Sequence, residues 1–311
     1  MIRKIPGTLI HYGRFNPEHR TGGVEAFAKS LKLAFEDVQF FDSHSYGPGS
    51  QAMQRVVADG LPVVCDNHLV LDWPDGYPVI GFQHGVAAEK KFITRKWMDW
   101  SLARRQARAA RRKSTVWVAC ARWISDEFAR RYGNQAQQVI YHTVDTNRFD
   151  GKLANQGSKL VLHDGRSRHK GRDVYPILQA ALPDWTFEPL SCSPAQVPER
   201  MRKARAFMHL SRYEGNSIVC NEAMAMGLPC LFTRVGLMRD GEPLDVGIVD
   251  VRHVYGRQSA LIECVGSFLD GLGETSYNPR GWIEKNTSQQ AFIEGWRNVI
   301  AVWRDVKRER G

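Results

Sequence analysis

The chain has 311 residues, enough for two α/β domains, and its hydrophobic fraction of 43% is ordinary for a globular protein, which argues against disorder. Its net charge of +10 indicates an anionic partner, which leaves phosphate-bearing substrates, acidic membrane surfaces and nucleic acid open. Because it has no run of about 18 apolar residues, no signal-peptide pattern and no CxxC pair among its six cysteines, we expect a cytoplasmic protein without a zinc site or disulfide framework.

Short apolar runs alternate with helical patterns in the first half of the chain. A strand at Thr8–Ile10 leads into a polar loop from Gly13 to Gly23, and the spacing of apolar residues predicts a helix from Val24 to Leu33. Further strands are predicted at Val38–Phe41, Val63–Cys65, Val79–Phe82, Val116–Cys120 and Gln138–Tyr141. This alternation predicts βαβ units and a mostly parallel sheet.

The segment from Lys90 to Lys113 holds ten Lys or Arg residues and the acid Asp99, directly after Glu89, and predicts one long helix or two. Three arginines share a helix face and two tryptophans lie just upstream: Arg104, Arg108, Arg111, Trp97 and Trp100. Basic residues with tryptophan nearby suit anionic lipid headgroups, and they equally suit a nucleic-acid backbone. A solvated, Arg-rich surface helix is the third interpretation.

The alternation resumes after a polar, glycine-containing stretch from Asp150 to Ser158, which predicts a linker. Strands are predicted at Lys159–His163, Thr186–Leu190, Ala206–Leu210, Pro229–Phe232 and Gly247–Val251. Helices are predicted at Asp173–Ala181, Pro198–Lys203, Ser217–Met226 and, as one long amphipathic helix, Gln289–Arg308. The chain therefore predicts two doubly wound α/β domains, with ligands beyond the carboxyl ends of the strands in a cleft between the domains.

Glu214 and Glu222 lie eight positions apart around the start of a predicted helix. Gly215 lets the backbone approach a ligand, and either Asn216 or Ser217 can cap the helix, whose free amides favour a phosphate. A carboxylate one or two turns into the helix can accept two hydrogen bonds from the vicinal diol of a sugar. Taken alone, the pattern also suits a capped helix with a solvated glutamate.

A basic loop stands upstream of this pair. Arg166 and Lys170 lie four positions apart between Gly165 and Gly171, directly after a predicted strand. Two fixed cations near a helix N-terminus suit a diphosphate leaving group that no metal neutralises. No Asp-x-Asp motif, the simplest carboxylate pair for a metal–nucleotide complex, occurs in the sequence. The loop alone is equally typical of a solvated basic turn.

Together these motifs resemble the retaining GT-B glycosyltransferases of family four, the glycosyl transferases group 1. The shared order is Gly-Arg-x-x-x-Lys-Gly, then Glu-x₇-Glu, then Ala-Met-Ala-x-Gly-x-Pro. Val139–Phe149, Gly22–Glu25 and Gln83–Gly85 resemble other family segments in the same order, although His142-Thr143 replaces the usual Asn-Gly. The resemblance implies an α/β fold of GT-B type, with two doubly wound Rossmann-like domains facing a cleft and a C-terminal helix returning to the N-domain. The implied boundaries are 1–150 for the acceptor-side domain, 151–285 for the donor domain and 286–311 for that helix.

The resemblance also implies a role for each matched residue. Arg166 and Lys170 would bind the donor diphosphate, and Glu222 would hold the ribose. Glu214 would contact the transferred sugar at the reaction centre, and His84 would reach the sugar or the acceptor from the first domain. The other matched positions are backbone contacts of the donor: Gly22, Gly23, Gly215, Asn216 and Ser217.

The implied activity is transfer of a sugar, with retention, from a nucleoside-diphosphate sugar to a glycan or lipid-linked glycan, without a metal or other cofactor. Two alternatives stay open: a glycosyltransferase acting on modified DNA bases, as in some phages, and a non-catalytic module that binds nucleotide or glycan. The expected partners are a nucleotide sugar, the acceptor, and an anionic membrane surface or nucleic acid at Lys90–Lys113. The expected location is the cytoplasm, and whether the protein also attaches peripherally to the inner face of the membrane is left open.

Overall fold

The computed structural model describes residues 3–19, 22–154 and 157–310. Contacts divide the chain into two compact units: Met1–Thr143 with Gln289–Gly311, and Val144–Ser288. Arg20 and Thr21 of the predicted glycine loop lie outside the described residues, and so do Asn155 and Gln156 of the predicted linker.

In the described part of the first unit, six parallel strands form one sheet in the order β2-β1-β3-β4-β5-β6. The strands are β1 (Ile5–Gly13), β2 (Phe35–Asp42), β3 (Val63–Asp66), β4 (Val79–Gln83), β5 (Thr115–Ala119) and β6 (Gln138–Val139). The central strands β3, β4 and β5 are buried along their whole length, which explains why their sequences are continuous apolar runs. The strand order reverses between β1 and β3, where a parallel sheet offers a ligand site at its carboxyl edge.

Helices connect these strands. They are α1 (Gly23–Ala34), α2 (Gln51–Asp59), α3 (Ala87–Thr94), α4 (Trp97–Ala109) and α5 (Arg122–Tyr132). The basic segment thus folds as two helices, α3 and α4, because Arg95 adopts a left-handed conformation with φ of 55° and ends the first. In the part of the chain that the structure describes, no helix is long and apolar enough to cross a membrane.

The second unit holds, within its described residues, a sheet of five parallel strands in the order β11-β10-β9-β7-β8. The strands are β7 (Leu160–His163), β8 (Thr186–Pro189), β9 (Ala206–His209), β10 (Cys230–Thr233) and β11 (Gly247–Val249). Its helices are α6 (Tyr175–Ala181), α7 (Val197–Arg202), α8 (Ile218–Ala225), α9 (Val251–Val254), α10 (Gln258–Asp270) and α11 (Arg280–Asn286). Here the strand order reverses between β7 and β9.

The last helix, α12 (Gln289–Arg308), belongs to the first unit and packs against α1, β4, β5 and β6. Its bounds are those predicted from the amphipathic pattern. The stripe Phe292, Trp296, Ile300 and Trp303 is buried, and Trp303 Nε1 donates to the Pro78 carbonyl at 2.9 Å.

The structure starts the second unit at Val144, a few residues before the boundary at 150/151 expected from the sequence. The Val144 amide donates to the Thr287 carbonyl at 3.3 Å, and the Arg280 guanidinium donates to the carbonyl of Phe149. These contacts tie the stretch from Val144 to Phe149 to the second unit.

Candidate functional site

Four charged or titratable side chains meet at the carboxyl ends of β7 and β9. Asp164 directly follows β7 and His209 ends β9, while Lys170 and Glu214 lie in the loops that follow these strands. Lys170 Nζ lies 2.7 Å from Asp164 Oδ2 and 3.4 Å from Glu214 Oε1. His209 Nε2 lies 2.9 Å from the same Glu214 oxygen. The cluster therefore sits where the strand order of this sheet reverses, which is the expected ligand position in such a sheet.

Each charged group of this cluster stabilises the charged form of its neighbour. Burial raises the pKa of Glu214, but the hydrogen bond and charge of His209, with the charge of Lys170, lower that pKa to about 2. Burial lowers the pKa of Lys170, but Glu214 and Asp164 raise it above its ordinary value. At neutral pH the cluster therefore presents an ionised Glu214 and a charged Lys170, each held by contacts with the other residues of the cluster.

Asp164 organises both cations that the sequence predicted. Besides its contact with Lys170, it accepts from Arg166 Nη2 at 3.3 Å, and the Arg166 side chain is 67% exposed. Burial raises the pKa of Asp164, but Lys170 and His209 lower it below its usual range. The sequence interpretation missed Asp164 and His209, although each is a polar residue at the end of a predicted apolar strand.

Two glycines allow the loops of this cluster to lie close together. Gly171 has a φ of 80°, and a Cβ atom there would lie 2.4 Å from the Leu210 carbonyl oxygen. Gly236 has a φ of 59°, and a Cβ atom there would lie 2.9 Å from the Cβ of Glu214. Both positions therefore require glycine, and they fix the loops that carry Lys170 and Glu214.

The loop before α8 leads from Glu214 into the helix. Ser217 occupies the position before its first turn, but within the described residues its side chain makes no capping hydrogen bond, so the predicted cap by Ser217 is wrong. The Cys220 amide donates to the Ser217 carbonyl at 3.1 Å, so the backbone of Ser217 takes part in the first turn of the helix. Asn216 Oδ1 accepts from Asn221 Nδ2 at 3.2 Å, which ties the buried segment of Gly215 and Asn216 to the helix.

Glu222 lies on α8 and is half-buried. Among the residues that the structure describes, its carboxylate has no hydrogen bond or ion pair. Burial raises its pKa to about 7, and Asp164 adds to this while the charge of Arg148 opposes it. A carboxyl group in this state is free to accept hydrogen bonds from the hydroxyls of a ligand.

The first unit carries a separate polar cluster at the carboxyl ends of β1, β3 and β4. Asp66 Oδ1 lies 2.8 Å from His84 Nε2 and 3.3 Å from His11 Nε2. Burial raises the pKa of Asp66, but the two histidines lower it far below its usual range. The His84 ring also packs against His142, with ring centroids 6.0 Å apart, and burial lowers the pKa of His142 to about 3. The sequence interpretation found His84 but missed its partners His11 and Asp66.

The predicted site residues belong to both units, and within the second unit several of them lie together. Arg166 and Lys170 both contact Asp164, and Lys170 also contacts Glu214, which the segment from Gly215 to Glu222 follows in the second unit. Gly22 precedes α1 with an extended backbone, and Gly23 begins it, in the same unit as His84. Across the described ranges, no group of three or more His, Cys, Asp or Glu is arranged to hold a metal ion; the metal-independent mechanism stays a prediction.

Comparison with known proteins agrees with this architecture. Residues 157–241 match the family model described as glycosyl transferases group 1, which confirms the resemblance in the segment that carries the cluster. The chain has the GT-B fold. It superposes on Anabaena HepE in complex with UDP with a TM-score of 0.69, at 14% identity, over 95% of this chain and 100% of that one. HepE is also known in complex with UDP-glucose.

Two further known proteins are similar to this chain, WaaG in its fold and a mannosyltransferase in its sequence. WaaG, a glycosyltransferase involved in lipopolysaccharide biosynthesis, superposes with a TM-score of 0.62 at 14% identity, over 95% of this chain and 99% of that one. The GDP-mannose:cellobiosyl-diphosphopolyprenol alpha-mannosyltransferase of Xanthomonas campestris is 28% identical over 198 residues. That match covers 52% of this chain and 51% of the mannosyltransferase, so it spans about half the length of that relative.

Proposed function

We propose that this chain is a glycosyltransferase that moves a sugar, with retention, from a nucleoside-diphosphate sugar to a glycan or lipid-linked glycan, without a metal. The observation that carries the proposal is the contact of Lys170 with Glu214, 3.4 Å apart, beside the start of α8 in the segment that matches the family model. A fixed cation beside a fixed carboxylate suits a diphosphate and the sugar attached to it. The names of the relatives support this class, because they include a UDP-glucose complex and a transferase acting on a polyprenol-linked glycan.

In the proposed reaction the second unit supplies the electrostatic stabilisation. Lys170 and Arg166 hold the diphosphate and stabilise the negative charge that builds up on it as the bond to the sugar breaks. The amides at the start of α8 and of the segment from Gly215 to Ser217 contribute further positive potential. Because the two side-chain cations are already in place, no metal ion is needed to neutralise the leaving group.

The carboxylates orient the donor. Glu222, half-buried and without a partner among the described residues, accepts hydrogen bonds from the ribose diol. Glu214 accepts a hydrogen bond from a hydroxyl of the transferred sugar and so holds the sugar next to the diphosphate. Retention follows if the departing phosphate takes the proton of the acceptor hydroxyl on the same face of the sugar, so the enzyme contributes orientation rather than a nucleophile. His84, with Gly22 and Gly23, serves the donor and acceptor from the first unit.

A donor screen followed by kinetics tests the proposal. A nucleoside diphosphate or its sugar should raise the melting temperature, because a ligand that binds only the folded state stabilises it. With the best donor, Glu214→Gln and Lys170→Ala should each lower kcat/KM at least about tenfold. Glu199→Gln and Lys203→Ala, exposed and in the same unit, make the matched charge changes and should leave kcat/KM unchanged.

Each result bears on one part of the proposal. Near-normal turnover in either site variant removes the role of that residue. Loss of activity in excess EDTA contradicts the metal-free mechanism. Absence of transfer and hydrolysis across the whole donor panel leaves the chain as a nucleotide- or glycan-binding module.

A further inference from the structure

The corner between α3 and α4 holds a group of large apolar side chains out in solvent. The exposed fraction is 61% for Phe92, 78% for Trp97, 52% for Met98 and 43% for Trp100. Seven large hydrophobic side chains are exposed in the described part of the chain, and these four lie within residues 92–100. Single exposed apolar residues are ordinary, but a contiguous group marks an interaction surface.

This corner is firmly anchored, so the exposure of its apolar residues does not reflect a loose loop. The buried Asp99 accepts from the Thr94 hydroxyl and lies 3.3 Å from Lys90 Nζ, which locks the start of α4 onto α3. Further along α4, Gln106 accepts from the Ala87 amide at 2.9 Å and donates to the carbonyl of Gly85 at 2.8 Å.

The exposed charge around the corner is positive. Two exposed cations lie within the corner, Arg95 and Lys96, and four more follow it along the chain: Arg104, Arg105, Arg108 and Arg111. Asp99 is the one acid in residues 90–113, all of which the structure describes, and it is buried against Lys90. Arg112, one of the ten basic residues of the segment, does not lie on this surface. Its buried guanidinium donates to the carbonyls of Val70, Trp73, Pro74 and Tyr77.

We infer that the α3–α4 corner, residues 91–100, docks on an anionic lipid bilayer, with Trp97, Met98 and Phe92 entering the interface and the flanking cations on lipid phosphates. Tryptophan next to basic residues is the composition of interfacial membrane anchors. A nucleic acid would bind the cations through its phosphates, but a phosphate backbone would make no favourable contact with the exposed, apolar Met98. Stacking on bases would also need open ring faces, and the Lys91 ammonium lies 4.9 Å from the ring centroid of Phe92 and 4.2 Å from that of Trp100.

This inference goes beyond the proposed function, since it rests on the surface of the first unit alone. A membrane-docked enzyme would meet acceptors carried by lipids, but the test needs neither donor nor acceptor. Its failure would leave the sugar-transfer proposal untouched, and failure of sugar transfer would leave the docking surface untouched.

Vesicle flotation of the full chain tests the inference. The protein should float with vesicles of phosphatidylcholine containing about 30% phosphatidylglycerol, float less with phosphatidylcholine alone, and dissociate as salt is raised. Trp97→Ser with Met98→Ser should lower the partition coefficient on anionic vesicles about tenfold or more. Arg95→Glu with Lys96→Glu should lower it by a similar factor, because each basic residue at an anionic surface contributes to binding.

Matched substitutions outside the corner serve as controls. Tyr255→Ser removes an exposed aromatic ring and Arg308→Glu reverses an exposed charge, and both should float like the wild type. All four corner positions are exposed, so the corner variants should keep the wild-type melting temperature, which separates lost docking from lost folding. The inference is overturned if the wild type does not bind anionic vesicles, if the Trp97/Met98 variant binds as the wild type does, or if the chain binds single-stranded or duplex oligonucleotides and not vesicles.

Discussion

The buried carboxylate of Asp164 contacts two cations, and three basic side chains around it stabilise its negative charge. Lys170 Nζ lies 2.7 Å from it, Arg166 donates to it, and His209 Nδ1 lies 3.9 Å away. A carboxylate surrounded in this way is costly to remove, because the cations lose their counter-charge while they stay partly desolvated. The proposed donor site therefore depends on a residue that the family motif does not contain.

We expect Asp164→Asn to lower the free energy of unfolding by about 2–4 kcal/mol and to lower kcat at least about tenfold, since Lys170 and Arg166 lose their common anchor. Asp250→Asn, which breaks an exposed pair with Arg252, should lower the free energy of unfolding far less, because solvent screens that pair. Denaturant unfolding and donor kinetics measure both effects. Equal stability of the two variants would contradict the anchoring role.

Glu222 makes the stability of the chain depend on pH. Its pKa is about 7 in the folded chain, against roughly 4.3 in an unfolded one, so between these values the folded state binds more protons than the unfolded state. Stability from this group therefore falls as pH rises from about 4.5 to 7 and is constant above that range. Glu222→Gln has no titrating group at this position. Its free energy of unfolding relative to that of the wild type should therefore rise by about 1–3 kcal/mol between pH 5 and pH 8.

Unfolding curves of wild type and Glu222→Gln at pH 5, 6, 7 and 8 measure this difference, with the exposed Glu199→Gln as the control. The same substitution should weaken nucleoside-diphosphate binding if the carboxylate holds the ribose. A gain in stability without weaker nucleotide binding would keep the pKa argument and reject the ribose contact.

At the scale of single elements, the loop before α8 is shaped by a glycine far along the chain. A Cβ atom at Gly236 would lie 2.9 Å from the Glu214 Cβ and 3.0 Å from the Gly215 carbonyl oxygen. We expect Gly236→Ala to lower the free energy of unfolding by about 1–3 kcal/mol and to lower kcat/KM about tenfold, because Glu214 must move.

The matched control for this change is Gly241→Ala. Gly241 also has a positive φ, 70°, but a Cβ atom there meets nothing within 4 Å. The Gly241→Ala variant therefore measures the cost of backbone strain without a steric contact. It should cost about 1 kcal/mol and leave kcat/KM unchanged. If both variants lose activity alike, the close approach to Glu214 does not position that carboxylate.

Elements with a strong local pattern could be predicted from the sequence, and contacts made across the fold could not. The bounds of α12 follow from its apolar stripe, and the central strands follow from apolar runs that a buried parallel sheet requires. His209 and Asp164 each have the local pattern of a strand end, and only folding brings His209 Nδ1 to within 3.9 Å of Asp164 Oδ2, 45 positions away in the sequence. Arg112 matches a basic helix face, yet carbonyls far away in the sequence bury it. Periodicity carries no information on such distant partners.

At the scale of the whole molecule, α12 returns the end of the chain to the first unit, while Lys170, Glu214 and Glu222 all lie in the second. Trp296 of α12 is fully buried, with its ring centroid 6.0 Å from that of Phe82 and 5.9 Å from that of Phe35. Trp296→Ala should therefore lower the free energy of unfolding by about 3–5 kcal/mol, the usual cost of an aromatic cavity in a core.

Measuring nucleotide affinity separates the stability of the first unit from the donor site proposed for the second unit. Because the residues proposed to hold the nucleoside diphosphate belong to Val144–Ser288, the Kd of Trp296→Ala for the best nucleoside diphosphate should stay within about threefold of wild type, below its melting temperature. Calorimetric titration measures this Kd, and Val302→Ala, on the exposed side of the same helix, is the control. If affinity falls in parallel with stability, the nucleotide site depends on the first unit, and the glycine loop at Gly22 and Gly23 becomes the next position to substitute.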